Sequence, residues 1–342
     1  MRRIWVIVFA LLFSTVIGCK GVSTSPTPSP NHRADSSNEQ PDAPVTEVDL
    51  AMIAKQYPAV DGSTSALPLQ VMLACTLLDV PCSWQEGWEL DMTRKLVPDL
   101  NSEAPTELVE QVAGIWHNGT HDSYRNLLKG NADFILVART PSEDELEEAQ
   151  DRDVELDIRA VALDAFVFLV NTENPVDELS LATIRSIFAG EITQWSEIDP
   201  DEFLGQEDEI HTFSRNRNSG SQELMEKLVM MGVDMIDSPD MMLASMLGPI
   251  NAIGEDPLGI GYSVYFYAKF IYPSEDVKLL GIDGVQPTSE NIAGSSYPLS
   301  TEVYVVIRQG MPADHSAVLL RNWLLTDEGQ IAIASSGYVP SR

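Results

Sequence analysis

The sequence predicts an α/β fold, and three observations carry that expectation. Short apolar runs alternate with stretches of helical periodicity along most of the chain, the pattern of strands crossed by helices. The roughly 295 residues after position 47 suit one large domain or two lobes. Three hydroxyl-bearing loops, at 62–66, 119–123 and 215–221, each lead into a helix-compatible segment. Open α/β sheets bind their ligands in such a place, beyond the carboxyl ends of the strands.

In chain order, residues 1–18 read as a signal peptide. Arg2 and Arg3 form its basic start, Ile4 to Phe13 its apolar stretch, and Val16-Ile17-Gly18 precedes Cys19. This matches a bacterial lipoprotein signal in which Cys19 is lipidated, and the apolar run is too short to span a bilayer. The chain is therefore expected to work outside the cytoplasm, tethered to a membrane face. Residues 19–47 are rich in Ser, Thr, Pro and Asn and poor in large apolar side chains, so they read as a flexible stalk.

The folded part opens with Tyr57 to Leu69, a strand ending at Asp61-Gly62, a hydroxyl loop containing Thr64 and Ser65, and a helix from Leu67 to Leu78. No P-loop spacing is present. The Asp79 to Pro105 stretch, with Trp84 and Trp88, reads as an excursion without an assigned role. Cys75 and Cys82 lie seven apart, and an oxidising compartment favours a local disulfide between them over free buried thiols. A second hydroxyl loop runs through Thr120 into a helix, then Gly130-Asn131 turns into the apolar strand Ala132 to Ala138. Ser142 begins a helix whose acidic run reads as a solvated face. From Ile158 to Val170 the chain forms two strands or one long crossing strand. Ser180 caps the next helix and Gly190 closes it. Trp195 and the methionines between Met225 and Met246 read as core filling. Strands at 258–262, 277–280 and 303–307 and helices from Ala317 and Thr326 complete the alternation.

The stretch Phe213 to Leu224 gathers the most chemistry. Arg215 and Arg217 precede Ser219-Gly220-Ser221, which run into a helix. A guanidinium fork, two hydroxyls and unpaired N–H groups at one helix start make an oxyanion cradle, with Gly220 allowing close approach. The plainer alternative is that Ser219 is an ordinary N-cap and the arginines are solvated.

Net charge is −31, or −33 once Arg2 and Arg3 are lost with the signal, so nucleic acid is excluded as a partner class. An anion is not excluded, because short hydrogen bonds in a closed cleft act within a Debye length of about 8 Å. His117 and His121 are four apart, but Gly119 lies between them in a segment that reads as a turn. No metal site and no cofactor are assigned.

Several motifs in order resemble the PstS family, the substrate-binding proteins of high-affinity phosphate ABC importers: DGSTSALPL, GTHDSYRNLLKGNADFILVA, NPVDELSLATIRSIFAGEITQW, SRNRNSGSQE, PLGIGY, SYPLSTEVYVV, LLTDEGQ and GYVPSR. The resemblance runs from about residue 57 to the end, apart from the excursion. It implies a two-lobed periplasmic-binding-protein fold of type II, with residues 48–163 and 300–342 in one lobe and 164–299 in the other. The lobes would be joined by crossings near 163–170 and 298–303. By position it implies phosphate or a close oxyanion held by the Thr64 hydroxyl and Ser65 N–H, by Thr120, and by Arg215, Ser219, Gly220 and Ser221. Its partners would be a membrane ABC permease and the lipid at Cys19, and the protein a monomer. The family usually places an Asp after the second-loop strand to accept the proton of hydrogen phosphate. Here Ala138 stands there, followed by Arg139, and Arg217 stands where the family tends to have an acid. These changes imply a more cationic site, with Asp61, Asp122 or a carbonyl as substitute acceptor. The alternatives are an anion-sensing lipoprotein and an extracytoplasmic hydrolase using Ser63, Ser219 or Ser221, which no base or metal set accompanies.

Overall fold

A computed structural model describes residues 50–86, 94–205, 207–236, 242–243 and 245–342. The signal peptide, Cys19 and the stalk lie outside the described residues. Helix α1 (Leu50–Lys55) leads to strand β1 (Val60–Gly62) and helix α2 (Leu67–Leu78), whose length agrees with the apolar run. The unassigned excursion contains a hairpin of β2 (Cys82–Gln85) and β3 (Lys95–Pro98), and Cys75 is disulfide-bonded to Cys82 at the end of α2. Helices α3 (Thr106–Ala113) and α4 (Thr120–Lys129) follow. Strand β4 (Phe134–Val137) and α5 (Glu143–Asp151) lead into one uninterrupted strand, β5 (Leu156–Asn171).

Beyond β5 come β6 (Glu178–Leu179), α6 (Leu181–Phe188), β7 (His211–Arg215) and α7 (Gly220–Leu224), which continues as a π-helical turn over Met225–Met230. Ser180 Oγ accepts from Thr183 N at the start of α6, and Gly190 takes a φ of 74° after its end. The remaining elements are β8 (Met242–Leu243), α8 (Gly248–Gly254), β9 (Gly259–Val264), β10 (Val277–Leu279), β11 (Gly281–Ile282), α9 (Ser289–Ala293), β12 (Ser300–Arg308), α10 (Ser316–Leu324), α11 (Asp327–Ser335) and β13 (Val339–Pro340).

The main sheet runs β1-β4-β12-β5-β9-β7-β8, with β10 and β13 also paired to β5. Strand β5 changes partners along its length. It is antiparallel to β12 from Leu156 to Ala165 and to β9 from Phe166 to Val170. The sheet therefore has a first half, β1-β4-β12 with the start of β5, and a second half built on the end of β5. From Ala165 to Asn171 every β5 side chain is buried, as expected for a strand covered on both faces. Phe166 and Phe168 pack with Tyr262 and Phe188 to form the centre of the second half.

Two packing expectations divide. Trp195 is fully buried and its indole N–H donates to Leu258 O at 3.0 Å. Met225 and Met230 are core residues, but Met231 is 68% exposed and Met242 is 50% exposed. The run is thus core filling only where the helix faces the sheet. Among the described residues, no helix is long and apolar enough to cross a membrane.

Candidate functional site: a cleft between the sheet halves

The starts of α2, α4 and α7 border one cleft of about 640 Å³. Thr64, Ser65, Thr120, Arg215, Ser219, Gly220 and Ser221 all line it, so every ligand-binding residue expected from the sequence is brought there. Two of the three starts are uncapped and the third is capped by serine. Neither Ala66 before α2 nor Gly119 before α4 caps its helix with a side chain; at α2, Leu67 N donates to Thr64 O and Pro68 has no N–H, so it is α4 whose first turn leaves N–H groups to another acceptor. Gly119 has a φ of 82°, a conformation that glycine adopts at no steric cost. At α7, Ser219 Oγ accepts from Gln222 N and sets the helix entry.

The first loop is held from below. Ser63 Oγ accepts from Ala138 N at 3.0 Å and lies 2.9 Å from Thr120 Oγ1, while Tyr338 donates to Ser65 O. Asp61 does not serve as substitute proton acceptor. Its carboxylate accepts from Gly62 N, Asn118 N, Asn118 Nδ2 and Asn126 Nδ2 at 2.7 to 2.9 Å, and it is outside the cleft lining. Four accepted bonds saturate both oxygens and tie the second loop to β1. Asp122 is exposed and does line the cleft.

Arg215 is 7% exposed at the end of β7. Its Nε donates to Leu243 O at 3.0 Å and its Nη1 to Ser221 Oγ at 3.4 Å. Its backbone N–H donates to Tyr262 Oη, which in turn donates to Gln222 Oε1. Burial draws the guanidinium pKa down from its usual range, and burial pushes the Tyr262 hydroxyl up to about 12. Arginine stays charged in neutral water despite such a shift. His117, beside Thr64 at 3.4 Å, is lowered by burial against the opposing pull of Asp61.

The two sides of the cleft meet at Gly220. A Cβ built there would lie 2.6 Å from Thr120 Oγ1, so only glycine permits this approach. Of the changes expected to make the site more cationic, Ala138 lines the cleft without a carboxylate, whereas Arg139 and Arg217 do not line it. Arg139 points away from the cleft into two carboxylates, donating to Glu145 and Glu223 at 2.8 Å, and Arg217 is exposed outside the lining. Glu145 is 1% exposed, which corrects the solvated-face reading at that position, while Glu143, Asp144 and Glu147 are exposed as expected. A signal for it was present, because Ser142 and Glu145 have capping-box spacing and Glu145 Oε2 accepts from Ser142 N. Among the described residues, no group of three or more His, Cys, Asp or Glu gathers to hold a metal.

Comparison with known proteins places this geometry. A PBP superfamily domain model matches residues 115–328, more than half of the chain. The phosphate-binding protein PstS of Staphylococcus aureus (strain USA300) is 25% identical over 229 residues, covering 65% of this chain and 67% of that protein. A structure from Clostridium perfringens, named as a phosphate ABC transporter substrate-binding protein with bound phosphate, superposes with a TM-score of 0.59 at 19% identity. It covers 83% of this chain and 98% of its own. An ABC-type phosphate transport receptor from Vibrio cholerae gives a TM-score of 0.55 at 19% identity, covering 82% and 98%. These likenesses establish the fold, an α/β periplasmic-binding-protein fold of type II.

Proposed function

This chain belongs to the PBP superfamily, and on that premise we propose that it captures inorganic phosphate, or a close tetrahedral oxyanion, and delivers it to an ABC importer. The observation that carries the reading is the meeting, in one cleft, of the Thr64 and Thr120 hydroxyls, the buried Arg215 guanidinium and the α7 start at Ser219-Gly220-Ser221. The relatives named above, described as phosphate-binding or phosphate-transport proteins, support the same ligand.

Capture is binding without bond breaking. Ser63 is engaged with Ala138 N and Thr120, and Ser219 with Gln222 N, so these hydroxyls serve as scaffold and donors rather than nucleophiles. Residues 48–163 with 300–342 form one lobe and 164–299 the other, and the crossing strands β5 and β12 act as the hinge. Closure replaces the hydration of the anion with fixed donors, each charge-assisted bond contributing about 1.5 to 3 kcal/mol. The monomer works outside the cytoplasm, anchored by lipid at Cys19 on a stalk ending near residue 47, and docks on a membrane permease.

The test is calorimetric titration of phosphate-free protein with phosphate and then sulfate, repeated for Arg215→Ala. Tight phosphate binding lost by at least about 100-fold in the variant is expected, from removal of a buried charged donor worth roughly 3 kcal/mol. If neither anion binds the wild type, the proposed ligand is wrong.

A further inference from the structure

Arg139 and Glu223 form a contact between the two sheet halves, outside the cleft lining. Arg139 follows β4 in the first half of the sheet, and Glu223 lies on α7 in the second. Arg139 Nη2 donates to Glu223 Oε1 at 2.8 Å, and its Nε lies 2.8 Å from Oε2. On its other edge the same guanidinium donates to both oxygens of Glu145, at 2.8 Å each. Its backbone carbonyl accepts from Tyr124 Oη, so Arg139 is fixed before Glu223 reaches it. One turn further along the helix, Lys227 Nζ lies 3.3 Å from Thr140 Oγ1, a second crossing contact.

We infer that Glu223 is a positioning residue for the cleft: it fastens α7, and with it Ser219, Gly220 and Ser221, onto Arg139 across the gap. The inference rests on the proposed phosphate reading for its ligand but not for its contact. Two carboxylates on one guanidinium leave one surplus negative charge, on a buried Glu145 and a part-buried Glu223, near the proposed anion cleft. Such a cluster holds a proton more readily than a free carboxylate does. The groups facing Glu223 are Arg139, Glu145, Asp144 and His121 from the first half, with Lys227 on its own helix. Burial, only partly opposed by Arg139, raises the Glu223 carboxyl to about 7. In an open cleft it returns toward its ordinary range near 4.3. Closure therefore takes up a proton between these values, and Glu223 favours closure most on the acid side, with the benefit declining as pH rises through about 7.

The experiment compares phosphate affinity of the wild type, Glu223→Gln and Glu223→Ala at pH 5.5 and 8.0. Phosphate's own ionisation cancels in the ratio of two proteins at one pH. Glu223→Gln imitates the protonated side chain in both states, so it should bind more tightly than the wild type, and its advantage should grow roughly 30-fold from pH 5.5 to pH 8.0. Glu223→Ala should be about tenfold weaker at pH 5.5, while Glu145 keeps Arg139 paired and the fold intact. Parallel pH profiles for wild type and Glu223→Gln, or an alanine variant within twofold of wild type at pH 5.5, would overturn the inference. Hydrogen exchange of the Gly220–Leu224 amides gives a readout without phosphate. Faster exchange in Glu223→Ala than in wild type or Glu223→Gln supports the contact, and equal exchange refutes it. Failure of the wild type to bind phosphate would instead defeat the ligand reading.

Discussion

Replacing Gly220 by Ala separates binding from stability. The added Cβ would sit 2.6 Å from Thr120 Oγ1 and 3.4 Å from Thr120 Cβ. Thr120 has little freedom to yield, being 5% exposed at the first position of α4 with its hydroxyl 2.9 Å from Ser63 Oγ. Restoring ordinary contact requires the two walls to part by about 0.8 Å. A donor at about 2.9 Å moved that far is no longer hydrogen-bonded, and one lost charge-assisted bond costs about 2 kcal/mol. Phosphate affinity should fall about 30-fold by calorimetry. Thermal stability should hold or rise slightly, because alanine at a helix start reduces the entropy of the unfolded chain by about 0.4 to 1 kcal/mol. An alanine variant that binds as tightly as wild type would show that Thr120 and α7 do not meet around the bound anion.

Two further outcomes follow from buried carboxylates. Asp164 is 2% exposed where β5 changes partners, its Oδ1 accepts from Ala165 N and Phe266 N, and burial raises its pKa to about 7. Its neutral form is the one the fold prefers, so its contribution to stability declines as pH rises from about 4 to 7. Asp164→Asn keeps the acceptor, and denaturant melts should show it gaining about 2 kcal/mol on the wild type at pH 8 and much less at pH 4. A pH-independent difference would exclude this origin. Asp61→Ala removes four accepted bonds and should cost about 2 to 4 kcal/mol in urea unfolding while weakening phosphate binding through the freed 118 loop. A loss under about 1 kcal/mol would mean that water replaces the carboxylate.

The parts legible in the sequence were those written locally. Ser180 and Gly190 announce α6 because capping acts over a few residues, and the Phe213 to Leu224 stretch carries its donors in one run. The long apolar stretch left one strand or two open, since periodicity does not register a change of partner at Ala165. Glu145 read as solvated because its neighbours on α5 are acidic, and only tertiary contact with Arg139 distinguishes it. Asp61 is one of three substitute acceptors the sequence offers, and only the fold shows that Asn118 and Asn126, more than fifty positions away, occupy it. The β2–β3 hairpin is not legible because strands of four residues give too few alternations to count.

The position of β12 also has a consequence for how the molecule is assembled. It lies between β4 and β5, and those two strands do not touch without it. The last 43 residues therefore supply the centre of the sheet's first half. Until Ser300 to Arg308 has been synthesised, β4 presents an open edge, while β5, β9 and β7 already have each other. The half built from the middle of the sequence can condense first, and the half that begins the sequence must wait for its end. This order postpones completion of the cleft's first wall until β12 is available to pair with β4 and β5.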